Sequence, residues 1–298
     1  MHPGRTAMVR AAPDRLTHCH DDEHDTNEIL VLGATGKTGR RLVRRLRAAG
    51  ASVRAAARSG EVRFDWSRPD SWDGALAGAS ALYLVAPDDP VSVRDFVKRA
   101  EAAGVRRFVA LSGRGIDHVG EGFGQGMLAG ELAVRDSGAE WTVLRPNNFD
   151  QNFDEDLWRA SLRAGRLALP IGAVPEPFVD AEDVAEVAAA ALTEDGHAGR
   201  VYDLSGPRAL TFGAAVETIA EAAGRPIRYV ELAPEEYRAE LLAEGHPEAA
   251  AEALGTMFAL HRAGYTAEPA DGVQRALGRE PVDFGTWAAR AAAAGAWA

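Results

Sequence analysis

A glycine-rich segment near the start of the chain constrains the fold more than any other part of the sequence. The apolar run Glu28–Leu32 (EILVL) has the length of a buried strand, and residues 40–49 follow it with a helical pattern. Between them lies the segment Gly33-Ala34-Thr35-Gly36-Lys37-Thr38-Gly39. A strand, a glycine loop and a helix in this order are typical of a unit that binds the phosphates of a dinucleotide. The spacing is G-x-x-G-x-x-G rather than G-x-G-x-x-G, so a tight turn without a ligand is the alternative.

Each glycine of this loop has a separate expected role. Gly33 makes the tight turn, Gly36 lets the backbone approach a pyrophosphate, and Gly39 lets the helix pack against the strand. The first N–H groups of the helix then face the phosphates at the positive end of the helix dipole.

Strands and helices alternate along the first half of the chain. Further strands are expected at 51–57, 61–66, 80–86, 107–111 and 140–144, with helices at 91–103 and 124–137. This alternation predicts an α/β fold, a Rossmann-type doubly wound parallel sheet. We expect a disordered leader at 1–26, an NADP-binding domain at 27–150, and a smaller, mostly helical substrate region at 151–298. The strand Arg200–Leu204 of that last region is expected to return to the sheet.

Composition excludes several classes of protein. The 298 residues are 46% hydrophobic and carry a net charge of −11, which disfavours a nucleic-acid partner. No apolar run is long enough to span a bilayer, so no membrane partner is expected. The single cysteine, Cys19, favours a reducing, cytoplasmic location. It lies in a His- and Asp-rich leader cluster that matches no structural zinc pattern, so no metal is predicted. A monomer or a homodimer acting on a small molecule is the expected form.

The end of the second strand indicates which dinucleotide is bound. An NAD site usually has an Asp or Glu there, whereas this chain has Arg58, whose guanidinium suits a 2′-phosphate. A solvated strand end is the alternative for Arg58. Lys37 and Arg40 lie close enough in sequence to contribute. The predicted cofactor is therefore NADP(H). The candidate cofactor-binding residues are Gly33, Thr35, Gly36, Lys37, Thr38, Gly39, Arg58, Asp65, Ala86 and Pro87.

Several segments together resemble the NmrA-like branch of the atypical short-chain dehydrogenases/reductases. They are GATGKTGR at 33–40, FDW at 64–66, LYLVAP at 82–87, GVRRFVALSG at 104–113, WTVLRPNNFDQNF at 141–153, FVDAEDVAEVAAAAL at 178–192 and GRVYDLSGPRALTF at 199–212. Within that branch the chain is most similar to the ergot-alkaloid festuclavine/agroclavine dehydrogenase type. The resemblance covers nearly the whole chain and implies NADP(H) binding. Some members of the branch are reductases and others are redox sensors.

The resemblance also shows what this chain lacks. The superfamily commonly uses a Tyr-x3-Lys pair, but the residues four positions before Lys37 and Lys98 are Gly33 and Arg94. When the helix is aligned on Glu131, the pair falls on Phe123 and Met127, which cannot transfer a proton. Ser112 matches the superfamily serine, and it either bonds a substrate or caps a turn.

Loss of this acid pair favours certain substrates. A ketone needs a proton as hydride arrives, whereas an iminium ion or a conjugated quinone or enone takes hydride at carbon with less demand on an acid. Candidate replacement acids are Asp150, His118 and Asp117, which is the neighbour of His118. The alternative role for Asp150 is a helix cap. The alternative for His118 is a place in a surface loop without a catalytic role. The candidate substrate-contacting residues are Asn147, Asn148, Phe123, Met127, Phe153 and Trp158. Turn formation is the alternative for the two asparagines, and core packing for Phe153 and Trp158.

The sequence therefore predicts an NADPH-dependent reductase that transfers hydride to a C=N or an activated C=C bond, in specialised metabolism. The alternative is a non-catalytic NADP(H)-sensing regulator of the NmrA type. A protein that keeps the fold without net redox chemistry is a third and lesser interpretation.

Overall fold

The computed structural model describes residues 27–120 and 123–298, together with Met1. The expected disordered leader and its His/Cys cluster therefore lie outside the described residues. The described strands are β1 Glu28–Leu32, β2 Val53–Ala57, β3 Val62–Arg63, β4 Ala79–Val85, β5 Arg107–Leu111, β6 Glu140–Pro146, β7 Arg166–Leu169, β8 Arg200–Leu204 and β9 Arg228–Glu231. The helices are α1 Lys37–Ala48, α2 Trp72–Leu76, α3 Val93–Ala102, α4 Gln125–Arg135, α5 Arg159–Arg163, α6 Ala181–Thr193, α7 Phe212–Ala223, α8 Pro234–Ala243, α9 Glu248–Arg262, α10 Gly272–Leu277 and α11 Phe284–Ala293.

Seven parallel strands form the main sheet in the order β3-β2-β1-β4-β5-β6-β8. Strands β2 and β3 are added on one side of β1, and strand β4 then pairs with its other side. The order in which strands are added therefore reverses between β1 and β4. Ligands of open parallel sheets bind outside the carboxyl ends of the strands at such a reversal. The fold class predicted from the sequence is confirmed.

Helices cover both faces of this sheet. On one face, Leu42 of α1, Val184 of α6 and Val273 of α10 pack in a common core. On the other face, Trp72 of α2, Phe96 of α3 and Val134 of α4 do the same. Because the central strands are buried from both sides, their sequences are continuous apolar runs rather than alternating ones.

A second group of elements lies over the carboxyl ends of the strands. We call it the cap: helices α5, α7, α8, α9 and α11 and the two-stranded parallel sheet of β7 and β9. Its core is aromatic, with Phe178, Phe212, Phe284 and Trp287 all buried. The last residues of the chain belong to it, since Trp297 is buried and its Nε1 donates to the carbonyl of Phe153 at 2.8 Å.

The structure corrects two local predictions and adds two strands. The third strand is Val62–Arg63 rather than 61–66, because the side chains of Phe64 and Trp66 pack with Phe96 in an aromatic cluster beside the sheet. The sequence of residues 152–163 predicts a helix, but the structure has only a 3-10 turn at Asp150–Asn152 followed by α5. The strands β7 and β9 were not predicted.

Candidate active site

The glycine loop has the shape that a bound pyrophosphate requires. Gly33 has a φ of 63°, which favours glycine. A Cβ on Gly39 would lie 2.2 Å from the carbonyl oxygen of Gly33, so any larger residue would push α1 off the loop. Helix α1 starts after Gly36 without a side-chain cap, which leaves the N–H groups of its first turn for a ligand. The residues present therefore fit a dinucleotide phosphate group.

The side chains of the loop make different contacts. Thr38 is buried, and its Oγ1 accepts a hydrogen bond from the Tyr83 hydroxyl at 3.1 Å. Lys37 points toward the cap. Arg40 forms an ion pair with Glu155 on the surface. Its contribution to a 2′-phosphate site stays a prediction.

The end of β2 carries an exposed guanidinium. Arg58 follows Ala57 directly, and no side-chain hydrogen bond holds it within the described residues. The Asp65 carboxylate accepts hydrogen bonds from the N–H and hydroxyl of Ser67, at 2.9 and 2.7 Å. Those bonds, with a smaller contribution from Arg58, hold the pKa of Asp65 below its ordinary value. This end of the sheet therefore places one cation and one carboxylate beside each other.

The segment after β4 carries two of the residues predicted to contact the cofactor. Ala86 and Pro87 lie there, and α4 packs directly on them. A Cβ on Gly126 would lie 1.6 Å from the carbonyl oxygen of Pro87. The indole of Trp66 donates to the carbonyl of Val85 at 3.1 Å and so fixes the end of β4.

A cavity of about 320 Å³ begins at Lys37 and extends beneath the cap. Ser112 lies at its base, where the buried hydroxyl has no hydrogen-bond partner within the described residues. Its apolar wall includes Ile116, Phe123, Met127 and Leu260. Phe123 and Met127 thus face the space in which a small molecule would lie.

The other side of the cavity is polar. Asn147 donates from Nδ2 to Oε1 of Glu176 at 2.8 Å and accepts at Oδ1 from Arg114 at 2.9 Å. The backbone N–H of Asn148 donates to the same Oε1 at 3.0 Å, and its side chain lines the cavity. His261 of α9 lies next to Glu176, with 2.9 Å between Nδ1 and Oε2.

Comparison with known proteins identifies the family. Residues 33–195 match the NAD(P)H-binding family. The chain is 37% identical to the (4-alkanoyl-5-oxo-2,5-dihydrofuran-3-yl)methyl phosphate reductase of Streptomyces griseus, covering 89% of this chain and 98% of that protein. It is 33% identical to the NAD(P)H azoreductase of Xenophilus azovorans, covering 90% and 99%. The chain belongs to the NAD(P)H-binding family.

The similarity to the ergot-alkaloid type is also confirmed. Festuclavine dehydrogenase of Aspergillus fumigatus is 30% identical over 86% of this chain and 94% of its own length. The NADP(H) complex of Citrobacter sp. triphenylmethane reductase superposes with a TM-score of 0.73, covering 89% of this chain and 99% of that one. At 24% identity that likeness shows the fold alone. Relatives named as an azoreductase, a reductase and a dehydrogenase, together with the match to the NAD(P)H-binding family, show that this protein is an NAD(P)H-dependent oxidoreductase.

Asp150 does not lie where a proton donor to the substrate would lie. It is absent from the cavity lining and is fully buried at the joint between sheet and cap. Burial and the nearby carboxylates Asp180, Asp183 and Asp154 raise its pKa well above the ordinary value, and both of its oxygens have no hydrogen-bond partner within the described residues. The alternative of a helix cap is also wrong, because Phe149 precedes the turn and no side chain caps it.

His118 lies at the rim of the cavity rather than in its wall. Its exposed ring stacks on Tyr265 with 3.8 Å between ring centroids, and Tyr265 lines the cavity. The carboxylate of Asp117 accepts two hydrogen bonds from Arg145, at 2.7 and 3.1 Å. That contact ties Asp117 to β6 and turns it away from the cavity.

Phe153 and Trp158 belong to the aromatic core of the cap. Their ring centroids are 4.7 Å apart, and Phe153 also packs against Phe178 and Phe284. Neither residue lines the cavity. The expectation that they contact a substrate in an apolar cleft is therefore wrong, and the alternative, that they pack in the core, is confirmed.

Two polar residues of the cavity lining, Glu176 and His261, were not predicted from the sequence. Glu176 lies in a connection and pairs with Leu210 in an isolated antiparallel bridge, while His261 lies in the last turn of α9. No local spacing joins the two, because the fold alone brings them together. In the described part of the chain no group of three or more His, Cys, Asp or Glu side chains could hold a metal ion, and no helix is long and apolar enough to cross a membrane.

Proposed function

We propose that this protein is an NADPH-dependent reductase that transfers hydride to a C=N or an activated C=C bond of a small, largely apolar molecule in specialised metabolism. The observation that carries the proposal is the wall of the cavity. Phe123 and Met127 stand at the positions that the resemblance assigns to the acid pair, and both line the cavity that begins at the glycine loop. A substrate that needs little acid assistance suits such a wall.

The cofactor side of the proposal depends on a few residues. When bound, the nicotinamide supplies the hydride. Gly33, Gly36 and Gly39 allow close approach of the phosphates, and the uncapped first turn of α1 donates N–H groups to them. Arg58, exposed at the end of β2, supports a 2′-phosphate and so NADPH over NADH. Thr35, Asp65, Ala86 and Pro87 remain proposed cofactor contacts.

The substrate side depends on enclosure and orientation. Ile116, Phe123 and Leu260 exclude water from the apolar part of the cavity. The Asn148 side chain and the free Ser112 hydroxyl orient a polar group of the substrate, since Asn147 is already held by Arg114 and Glu176. The protein then contributes mainly positioning.

Two relatives support this choice of acceptor. One is named for a 5-oxo-2,5-dihydrofuran, in which a C=C bond is conjugated to a carbonyl, and the other for azo reduction. Both names describe an activated double bond, so we extend that class of acceptor to this chain.

The test is NADPH oxidation by purified protein with four acceptors: a cyclic iminium salt, a quinone, a cyclic enone and an unactivated ketone. We expect turnover of at least one of the first three and none of the ketone. Equal rates with the ketone would overturn the choice of acceptor. Binding of NADPH, seen as a rise in melting temperature, without turnover of any acceptor would overturn the catalytic proposal and favour the sensor.

A further inference from the structure

A carboxylate and an imidazole meet at the polar end of the cavity. Nδ1 of His261 lies 2.9 Å from Oε2 of Glu176, and the two side chains are 7% and 1% exposed. Both residues line the cavity. Nε2 of the same ring lies 3.1 Å from the carbonyl oxygen of Val174. The pair is therefore held from two directions and shielded from bulk water.

These contacts locate the proton that the pair can transfer. A carbonyl oxygen only accepts, so Nε2 must carry a proton to bond Val174. Oε1 of Glu176 already accepts from Asn147 and Asn148. Oε2 is buried and accepts no hydrogen bond within the described residues, because Nδ1 of His261 lies close to it but is not aligned to donate. A proton on either of these two atoms is therefore not held by a hydrogen bond.

Several charged groups surround this pair. Lys37 lines the same cavity, and Arg114 lies behind Asn147 and donates to its Oδ1. Arg262 follows His261 on α9 but donates to the carbonyl of Pro170, so its charge is turned away from the ring. On the remaining side, the edge of Phe212 packs against the imidazole with 5.4 Å between centroids.

We infer that His261 and Glu176 together are the proton source for substrates whose reduction leaves a charge on oxygen. This inference rests on the proposed function and extends it. The pair supplies the acid that Phe123 and Met127 cannot supply, from the opposite wall of the cavity. The acceptor class then includes conjugated carbonyl compounds whose oxygen faces Glu176.

The step balances for an enone. Hydride from NADPH forms a C–H bond at the β-carbon, the C=C π bond breaks, and its electron pair moves to the carbonyl oxygen as an enolate. A proton moves from the pair to the oxygen of that enolate, and the resulting enol gives the saturated ketone on tautomerisation. The pair regains its proton from solvent. An iminium ion needs only the hydride, because its nitrogen becomes a neutral amine.

This difference between acceptors provides the test. We measure kcat of the full chain with NADPH for 2-cyclohexenone and for N-methyl-3,4-dihydroisoquinolinium. His261→Gln keeps a donor for Glu176 but has no transferable proton. We expect the ratio of enone to iminium kcat to fall about 100-fold, the contribution typical of a general acid. The solvent deuterium isotope effect on enone reduction should increase, because protonation then limits the rate. Glu176→Gln should lower the same ratio.

His246→Gln is the matched control, since His246 is exposed and lies outside the cavity. It should leave the ratio unchanged. Melting temperature and NADPH binding of each variant show whether the fold and cofactor site remain intact. An equal loss with both acceptors would assign the pair a structural role and overturn the inference, and so would an unchanged ratio. If the wild-type protein reduces the iminium ion but no enone or quinone, the inference fails while the proposed function stands. If it reduces nothing, both fail.

Discussion

The ammonium group of Lys37 donates a hydrogen bond to Oδ1 of Asn152 at 2.9 Å, across 115 positions of sequence. The same group forms an ion pair with Asp156 at 3.0 Å. Arg41, one turn further along α1, joins Glu155 of the same segment. The helix that begins at the glycine loop is thus bonded directly to the segment that leads into the cap.

Replacement of this lysine should weaken both stability and cofactor binding. In Lys37→Ala the bond to the buried Asn152 is lost, at a cost of about 1–2 kcal/mol in the free energy of unfolding. The KM for NADPH should rise about tenfold, because a cation at the phosphate end of the cavity is removed. Urea unfolding and steady-state kinetics measure the two effects.

Asp156→Asn is the control for Lys37→Ala. It removes only the exposed ion pair, and such pairs contribute little to stability. Unchanged NADPH affinity in Lys37→Ala would remove this residue from the cofactor site.

Arg58 should determine the choice of dinucleotide. Arg58→Ala removes the guanidinium expected to meet the 2′-phosphate, so kcat/KM for NADPH should fall about 10- to 100-fold while that for NADH stays nearly constant. Arg63→Ala, on the exposed side of the neighbouring strand β3, should change neither. A similar loss of kcat/KM with both dinucleotides would mean that Arg58 does not bind the 2′-phosphate.

Asp150 should make stability depend on pH. Its folded-state pKa lies well above the ordinary 3.8, so the folded protein keeps a proton that the unfolded chain has already released above about pH 4. Stability therefore falls as pH rises from there toward the folded-state pKa. Asp150→Asn removes the penalty, so the free energy of unfolding should rise by about 1–3 kcal/mol at about pH 8 and change little at about pH 4.

Denaturant titrations of Asp150→Asn at both pH values give the measurement. Burial also raises the pKa of Asp154 to about 6, so part of the wild-type pH dependence will remain in the variant. Asp195→Asn, at an exposed carboxylate, should shift neither curve. A variant that is less stable than the wild type at high pH would contradict the assignment of a neutral Asp150.

Gly126 should tolerate no larger side chain. In Gly126→Ala the Cβ would lie 1.6 Å from the Pro87 carbonyl oxygen, so α4 must move away from the cofactor cleft. We expect a loss of at least about 2 kcal/mol and weaker NADPH binding. Gly74→Ala has open space around its Cβ and should be neutral or stabilising by up to about 1 kcal/mol. Thermal unfolding of the two variants compares them directly.

The parts of the structure that follow from local patterns could be predicted. The glycine loop and the strands β1, β2, β4, β5 and β6 each have a recognisable run of residues bounded by turns. The strands β7 (RLAL) and β9 (RYVE) could not be predicted, because four residues of mixed polarity give no period.

The site residues divide in the same way. Phe123 and Met127 were placed by the resemblance, through an alignment of the helix on Glu131, and both line the cavity. Phe153 and Trp158 were wrongly expected to line a cleft, since an aromatic residue has the same sequence signal in a core as in a cleft. Glu176 and His261 depend on the packing of α9 over the bridge at Leu210, which no local pattern contains.

The position of β8 has a consequence for engineering. The chain leaves the main sheet after β6, builds part of the cap, returns as β8 beside β6, and then leaves again to complete the cap. A chimera that takes its cap from a homologue must therefore be joined at several points of the chain rather than at one. A single crossover after Pro146 would bring in the homologue's β8 along with its cap, and that strand would have to pair with the original β6. Recombination libraries should therefore take residues 200–204 from the parent that supplies β6.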